Sequence, residues 1–308
     1  MRRVSELSVE GKRLEVSNLD KVLYPEAGFT KGQIIDYYIK ISPALLPHLK
    51  DRPLTLKRYP NGVDKDFFYE KNCPSFRPKW VNTAAVVDRS QEKTIHYCMA
   101  NDLPTLVWAA NLADLELHTS LARYPKIQQP TMLVFDLDPG LPANIVDCAQ
   151  VGLWLKEKLD ELELESFAKT SGSKGLQIYI PLNTPTNYDA TKTFAQSLAQ
   201  MLEREHPELV VSKMAKALRR GKVFVDWSQN DDHKTTICVY SLRAKDQPTV
   251  STPVTWDEVA AALKKKDLDK LYFEHDDVLR RVEKHGDLFE PLLKLKQRLK
   301  PVEELVAA

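Results

Sequence analysis

The chain has 308 residues, long enough for one large domain or two modest ones with an ample core. Its apolar (43%) and charged (28%) fractions are those of an ordinary soluble globular protein. A formal net charge of +1 excludes a global field that would draw it onto nucleic acid or membrane, so any polyanion site must come from local clustering.

Met1-Arg-Arg-Val-Ser-Glu-Leu has no apolar stretch behind its arginines, so it does not read as a signal peptide. Residues 4–17 alternate (Val4, Leu7, Val9, then Leu14, Val16) around Gly11-Lys12, which predicts a hairpin. Asn18-Leu-Asp-Lys-Val-Leu-Tyr-Pro25 reads as a loop. Thr30 and Gln33 then form a capping box that opens a helix with Ile34, Tyr37, Tyr38 and Ile41 on its apolar face. Pro43 and Pro47 predict a broken or restarted helix. Residues 51–59 read as a strand ending in Lys57 and Arg58, followed by a Pro60-Asn61-Gly62 turn. Phe67-Phe68-Tyr69 falls in a polar, loop-like segment, and residues 101–117 carry helical spacing with His118 just beyond.

Thr131-Met-Leu-Val-Phe-Asp-Leu-Asp-Pro-Gly140 predicts a buried strand that ends at a turn. Alternation puts Asp136 and Asp138 on the face of Val134, with Phe135 and Leu137 opposite. Two neighbouring carboxylates push a pKa up, and a divalent cation would relieve them; two solvated acids at a strand end are the plainer alternative. Ala143–Leu162 is an amphipathic helix. A Gly/Ser turn, Lys169-Thr-Ser-Gly-Ser-Lys-Gly175, leads into alternating Leu176, Ile178, Ile180 and Leu182, and residues 188–205 form another helix. Val223-Phe-Val-Asp-Trp227 and Thr235–Leu242 are further strands, and the chain is helical from Thr255 onward. Helices and strands mix without strict βαβ alternation, which predicts an α+β fold in one compact domain of two lobes, about 1–125 and about 126–308. No membrane-length apolar run is present. The cysteines Cys73, Cys98, Cys148 and Cys238 show no zinc spacing and predict isolated buried thiols in a reducing cytosol.

Asp226 ends a strand patterned like the first acidic one. If the two are neighbours, three carboxylates form a site for two cations that activate a hydroxyl and neutralise a leaving pyrophosphate. Ser171-Gly-Ser-Lys-Gly175 suits a phosphate without being a Walker A loop, though a plain Gly/Ser hairpin fits equally. Lys213, Lys216, Arg219, Arg220 and Lys222 form a run with no acid, and helical spacing would put Lys213, Lys216 and Arg220 on one side. With Lys57-Arg58 and Phe67-Phe68 they suit a nucleic acid, whose bases stack on rings while cations hold its backbone; a solvated charged face and ordinary core aromatics are the alternatives.

Val-Phe-Asp-Leu-Asp-Pro-Gly, Thr-Ser-Gly-Ser-Lys-Gly-Leu, Val-Phe-Val-Asp-Trp-Ser-Gln-Asn and Lys-Thr-Thr-Ile…Tyr-Ser-Leu-Arg together resemble the polymerase domain of bacterial ligase D. That is the primase–polymerase group of the archaeo-eukaryotic primase superfamily, used in non-homologous end joining. The likeness runs from Asn18 to about Trp256. It implies an archaeo-eukaryotic primase-like core of mixed and antiparallel sheets flanked by helices, in a stand-alone or excised domain located in the cytoplasm at the nucleoid. Asp136, Asp138 and Asp226 would hold two Mn²⁺ or Mg²⁺ ions. His118, Ser171, Lys174 and Arg243 would bind the nucleoside triphosphate, with Lys57 in the same cleft. Asn18, Lys21 and Lys31 match the pocket for the downstream 5′-phosphate of a DNA gap or end. Phe67 and Phe68 would stack on template bases, and Arg219 and Gln229 would order template and primer. The family prefers ribonucleotides, and its partners are Ku and a DNA ligase. The family usually has histidine at Gln177; glutamine cannot carry positive charge to phosphate, an expected loss of about 1–2 kcal/mol, roughly tenfold in nucleotide affinity or rate.

Two rival readings follow from the same residues. Phe-Asp-Leu-Asp-Pro-Gly resembles the entry motif of haloacid-dehalogenase phosphatases, which expects Thr or Val where Gly140 stands and a parallel doubly wound sheet. An end-binding protein for DNA 5′-phosphates with little turnover would fit Gln177, but not an intact acidic triad.

Overall fold

A computed structural model describes residues 4–88 and 92–300. The basic start Met1-Arg-Arg and the end of the expected helical tail, residues 301–308, lie outside the described residues. The chain forms two compact units. The first runs to Pro125 and takes in Thr235–Ser251 and Glu274–Asp287; the second has Lys126–Lys234, Thr252–Phe273 and the chain from Leu288.

The hairpin forms as β1 (Val4–Val9) and β2 (Lys12–Ser17). The expected loop after it contains a short strand, β3 (Val22–Tyr24), which pairs with β4 (Phe29–Thr30). Thr30 caps α1 (Lys31–Leu49) through the capping box with Gln33. The helix runs unbroken through Pro43 and Pro47, correcting the expected break. Proline removes a backbone donor; here the Ser42 hydroxyl donates to the Ile39 carbonyl at 2.8 Å, the acceptor that Pro43 cannot serve.

Next come β5 (Leu54–Arg58), β6 (Phe68–Glu70), β7 (Thr83–Asp88), β8 (Lys93–Cys98), α2 (Leu103–Asn111) and β9 (Asp114–Thr119). Phe68 and Tyr69 thus lie on a strand paired with β5, not in a loop. His118 also lies within a strand, because Asp-Leu-Glu-Leu-His-Thr alternates and sends Leu115 and Leu117 to the core. Tyr38 of α1 ties helix to sheet by donating to the Leu115 carbonyl at 2.7 Å. Cys73 and Cys98 are disulfide-bonded, which corrects the expectation of four free thiols; Cys73 N–H donates to the His96 carbonyl, bringing the two together. Cys148 and Cys238 are buried and form no disulfide.

The second unit is built on β10 (Met132–Pro139), α3 (Ile145–Glu161), β11 (Phe167–Thr170), β12 (Leu176–Pro181), α4 (Tyr188–Glu205), β13 (Val210–Val211) and β14 (Val223–Asp226). The remaining elements are β15 (Thr236–Ile237), β16 (Pro253–Val254), α5 (Trp256–Lys265), α6 (His275–His285) and α7 (Pro291–Lys294). The expected strand 235–242 is therefore only two residues of ladder, and the helical tail is broken into pieces. In the first unit the sheet order is β15-β9-β5-β8-β7, with β6 also on β5. In the second it is β13-β14-β10-β12-β11-β16, antiparallel throughout except β13 with β14. A haloacid-dehalogenase fold needs parallel neighbours for the acidic strand, and β10 has none. Among the described residues no helix is long and apolar enough to cross a membrane.

One face of β10 carries Leu133, Phe135 and Leu137, fully buried with Ile178 of β12, Val225 of β14, Leu155 of α3 and Leu198 of α4. The opposite face carries Asp136 and Asp138. Two glycines let backbone pass close to this strand: a Cβ on Gly175 would lie 2.2 Å from the Leu137 carbonyl oxygen, and one on Gly140 2.0 Å from that of Arg219. Pairing of β10 with β14 begins at Asp136. Earlier on that edge the buried Asn230 side chain acts as a strand: its Oδ1 accepts from Val134 N–H at 2.9 Å and its Nδ2 donates to the Val134 carbonyl at 2.7 Å. Asn230→Ala leaves both groups buried and unmet, and is expected to cost about 2–4 kcal/mol. Chemical denaturation of the two proteins measures it; a loss within experimental error would show the clamp to be unimportant.

Candidate active site

In the second unit, cross-strand pairing aligns Asp226, Asp136, Gln177 and Lys169 in one row over β14, β10, β12 and β11. Directly opposed residues share a face of the sheet, so the two aspartates stand side by side, with Asp138 two residues along. Burial pushes the half-buried Asp136 up to about 7, helped by repulsion from Asp138 and Asp226 and opposed by a hydrogen bond from Gln177 and the charge of Lys169. Asp226 is oriented by its own motif. Its Oδ1 accepts from Ser228 N–H at 2.9 Å and from the Ser228 hydroxyl at 2.5 Å, and its Oδ2 accepts from Gln229 Nε2 at 2.8 Å. Gln229, expected at the template, thus supports a carboxylate. These hard oxygen donors, with one carboxyl raised by burial and by its neighbours' charge, fit a divalent cation, whose positive charge would favour the ionised form.

Gln177 is buried, and both ends of its amide are engaged within the row. Its Oε1 accepts from Lys169 Nζ at 2.6 Å and from the Tyr179 hydroxyl at 3.3 Å, while the amide also hydrogen-bonds Asp136. Nothing in composition or spacing singled out Lys169, a lysine only 1% exposed. Its alternation with Ala168 and its place one strand from Asp136 become visible only once the register is known. In the Gly/Ser turn the Ser171 hydroxyl accepts from the Ser173 and Gly175 N–H groups at 3.2 and 3.1 Å. Those N–H groups, expected to face a phosphate, hold the turn itself. Lys174 Nζ stands 4.0 Å from Asp138 Oδ1 and is largely exposed.

The basic run is not an α-helix. Only Lys216–Leu218 forms a single 3₁₀ turn, so Lys213, Lys216 and Arg220 share no helical face. The loop is pinned at the exit of β10, where Gly140 N–H donates to the Lys222 carbonyl and Gly221 N–H to the Gly140 carbonyl. Arg219 lies over the Phe224 ring at 3.7 Å and donates to the Met214 carbonyl. Asp231, Asp232 and His233 bring ligand atoms within 4.8 Å of one another, the only such group among the described residues. Those atoms are already taken up by Lys192 at 2.6 Å, Gln128 at 2.7 Å and each other.

In the first unit the cations converge on a residue that sequence reasoning missed, Glu116. Lys57 and Glu116 are cross-strand partners, with Nζ–Oε2 at 2.9 Å; His118 Nε2 is 3.0 Å from the same oxygen, and Arg243 Nε is 3.3 Å from Oε1. Ala244 N–H also donates to Oε1, at 3.1 Å. Burial alone would raise the Glu116 carboxyl, but His118, Arg243 and Lys57 outweigh it and hold it well below the usual carboxylate range. Burial lowers His118, against the pull of Glu116. Lys57 Nζ lies 4.5 Å over the Phe67 ring, and Arg58 lies 5.0 Å over Phe68. Phe67 and Phe68 are nearly half exposed, so they are not core residues.

Asn18, Lys21 and Lys31 also come together. Lys21 N–H closes a turn onto the Asn18 carbonyl, and Lys31 N–H donates to the Lys21 carbonyl at 2.9 Å at the start of α1. Lys31 Nζ donates to the Ser17 carbonyl at 2.7 Å and Lys21 Nζ to the Pro60 carbonyl at 2.5 Å.

Residues 30–289 match the family described as the primase-polymerase domain of LigD. The chain is 41% identical over 283 residues to the multifunctional non-homologous end joining protein LigD of Mycolicibacterium smegmatis, covering 91% of this chain and 36% of that protein. With the bifunctional non-homologous end joining protein LigD of Bacillus subtilis identity is 34% over 275 residues, 89% of this chain and 43% of the relative. The chain thus spans less than half the length of these curated relatives. It is similar to the solved polymerase domain from Mycobacterium tuberculosis ligase D in complex with DNA, with a TM-score of 0.85 and 42% identity over 91% of this chain and 98% of that one. On this evidence the chain belongs to the LigD primase-polymerase domain family.

Proposed function

We propose that this chain is a gap-filling or end-extending DNA repair polymerase of non-homologous end joining. As a primase-polymerase domain it is a nucleotidyltransferase. The observation that carries the reading is the pairing of Asp226 with Asp136 beside Asp138, three carboxylates on one face of one sheet.

Asp136, Asp138 and Asp226 hold two ions, Mn²⁺ or Mg²⁺. Such ions supply a lowered pKa for the attacking primer 3′-hydroxyl and charge neutralisation for the leaving pyrophosphate. Ser228 and Gln229 keep the Asp226 carboxylate turned and fixed, so little ordering entropy remains to be lost on binding. Lys57, His118, Ser171, Lys174 and Arg243 bind the triphosphate, ribonucleotides in preference, and Gln177 acts by orienting Asp136. Asn18, Lys21 and Lys31 take the 5′-phosphate of the downstream strand. Phe67 and Phe68 stack on template bases, and Lys213, Lys216, Arg219, Arg220 and Lys222 hold the DNA backbone, an affinity that falls steeply with salt. Ku and a DNA ligase are the proposed partners.

Primer extension on a gapped duplex with a 5′-phosphate tests the reading. Asp136→Ala/Asp138→Ala should lose all detectable incorporation while binding the duplex as before; retained incorporation contradicts the assignment. The raised Asp136 carboxyl makes a second prediction. A ligand must be ionised, and this group is raised to about 7, so the proton is lost only as pH rises through that value. Mn²⁺ affinity, followed by electron paramagnetic resonance, should therefore fall about tenfold per pH unit below 7 and level off above it. Asp136→Asn should flatten the profile, and a pH-independent wild-type affinity would refute it.

A further inference from the structure

Glu116 has no part in the acidic site, yet four groups of the first unit point at it: Lys57, His118, Arg243 and the Ala244 N–H. Its side chain is 2% exposed, whereas Lys57, His118 and Arg243 retain 12–16%. The carboxylate lies inside and the cations lie between it and the surface. A buried carboxylate with so many donors is fully ionised and fixed in position. The three side chains are in turn tied to that one carboxylate, which lowers the ordering cost when an anion arrives.

We propose that Glu116 is a positioning residue for nucleotide binding, one inner carboxylate that sets Lys57, His118 and Arg243 as a preformed receptor for an oligophosphate. The proposal rests on the reading above that these three side chains bind the triphosphate.

The geometry also fixes the chemistry of His118. An ionised carboxylate only accepts, so the 3.0 Å contact requires the proton on His118 Nε2. In the neutral ring Nδ1 is then an acceptor and repels a phosphate oxygen. A bound phosphate is accommodated when Nδ1 takes up a proton from solvent, giving an imidazolium held between Glu116 and the phosphate. No bond other than N–H is made or broken. Without Glu116 the ring loses the partner that fixes Nε2–H and supports this charge. The rings of Phe67 and Tyr69 around Lys57, at 4.5 and 5.6 Å, limit where its ammonium can turn and favour the orientation toward Glu116.

Steady-state kinetics of Glu116→Gln, with circular dichroism to verify folding, tests the proposal. The KM for ATP should rise about tenfold while kcat changes less than about threefold, and the Kd for the gapped duplex should stay at the wild-type value. Glu116→Asp, which keeps the charge, should recover part of the loss. A folded Glu116→Gln with an unchanged or lower KM overturns the proposal. His118→Ala and Arg243→Ala separate it from its foundation. If both raise KM and Glu116→Gln does not, positioning fails alone; if neither does, the triphosphate assignment fails and positioning with it. Should Glu116→Gln not fold, ¹⁵N NMR of histidine-labelled wild type decides. His118 should be protonated at Nε2 in the free protein and gain an Nδ1 proton on adding a non-hydrolysable ATP analogue. A free-protein Nδ1–H tautomer, or a ring unmoved by the analogue, contradicts it.

Discussion

The antiparallel pairing of β10 with β14 is the constraint on which the second unit depends, because it sets Asp136 against Asp226. Two carboxylates there repel, and β10 carries a third two residues away. The strand stays in register because its other face buries Leu133, Phe135 and Leu137 completely, each worth about 1.5–3 kcal/mol. Slipping the register by one residue would exchange the two faces, exposing the apolar set and burying the acids. Hydrophobic packing on one side thus holds charge together on the other. The Asn230 clamp and the close passes at Gly140 and Gly175 fix the same strand from its edges.

The row does not end at the acids. Gln177 and Lys169 continue it, passing from anion through amide to a buried cation. The Lys169 charge, relayed by an oriented amide, opposes the burial and repulsion that raise Asp136. The first unit solves the inverse problem. There the cations cluster, and Glu116 gives them a common counter-charge inside the fold. In each unit a buried group of opposite sign keeps like charges in fixed positions, which an isolated surface cluster would not achieve.

Much of this was legible in the sequence, for identifiable reasons. The Thr30–Gln33 capping box, the bounds of α4 and the alternation in β10 are local signals, and they form as expected. The residues that complete the site were hidden because their meaning is in pairing. Glu116 fell within a helical spacing that ran on from α2, with His118 just beyond it, and only the ladder with β5 shows Glu116 facing Lys57. Lys169 looked like the first residue of a turn, and Asn230 like the end of a motif. Pro43 of α1 misled because the Ser42 hydroxyl serves the carbonyl it leaves, and the bond between Cys73 and Cys98 spans a separation that spacing alone does not read. The helix drawn through the basic run failed for a similar reason: Gly140 and Gly221 hold that loop to β10 by backbone bonds.

The central claim is that Asp136, Asp138 and Asp226 together form a cation site. Anomalous diffraction at the manganese edge from crystals soaked in Mn²⁺ locates that ion directly. The account predicts density bounded by oxygens of all three carboxylates. Density confined to Asp231, Asp232 and His233, or none along β10, would contradict it.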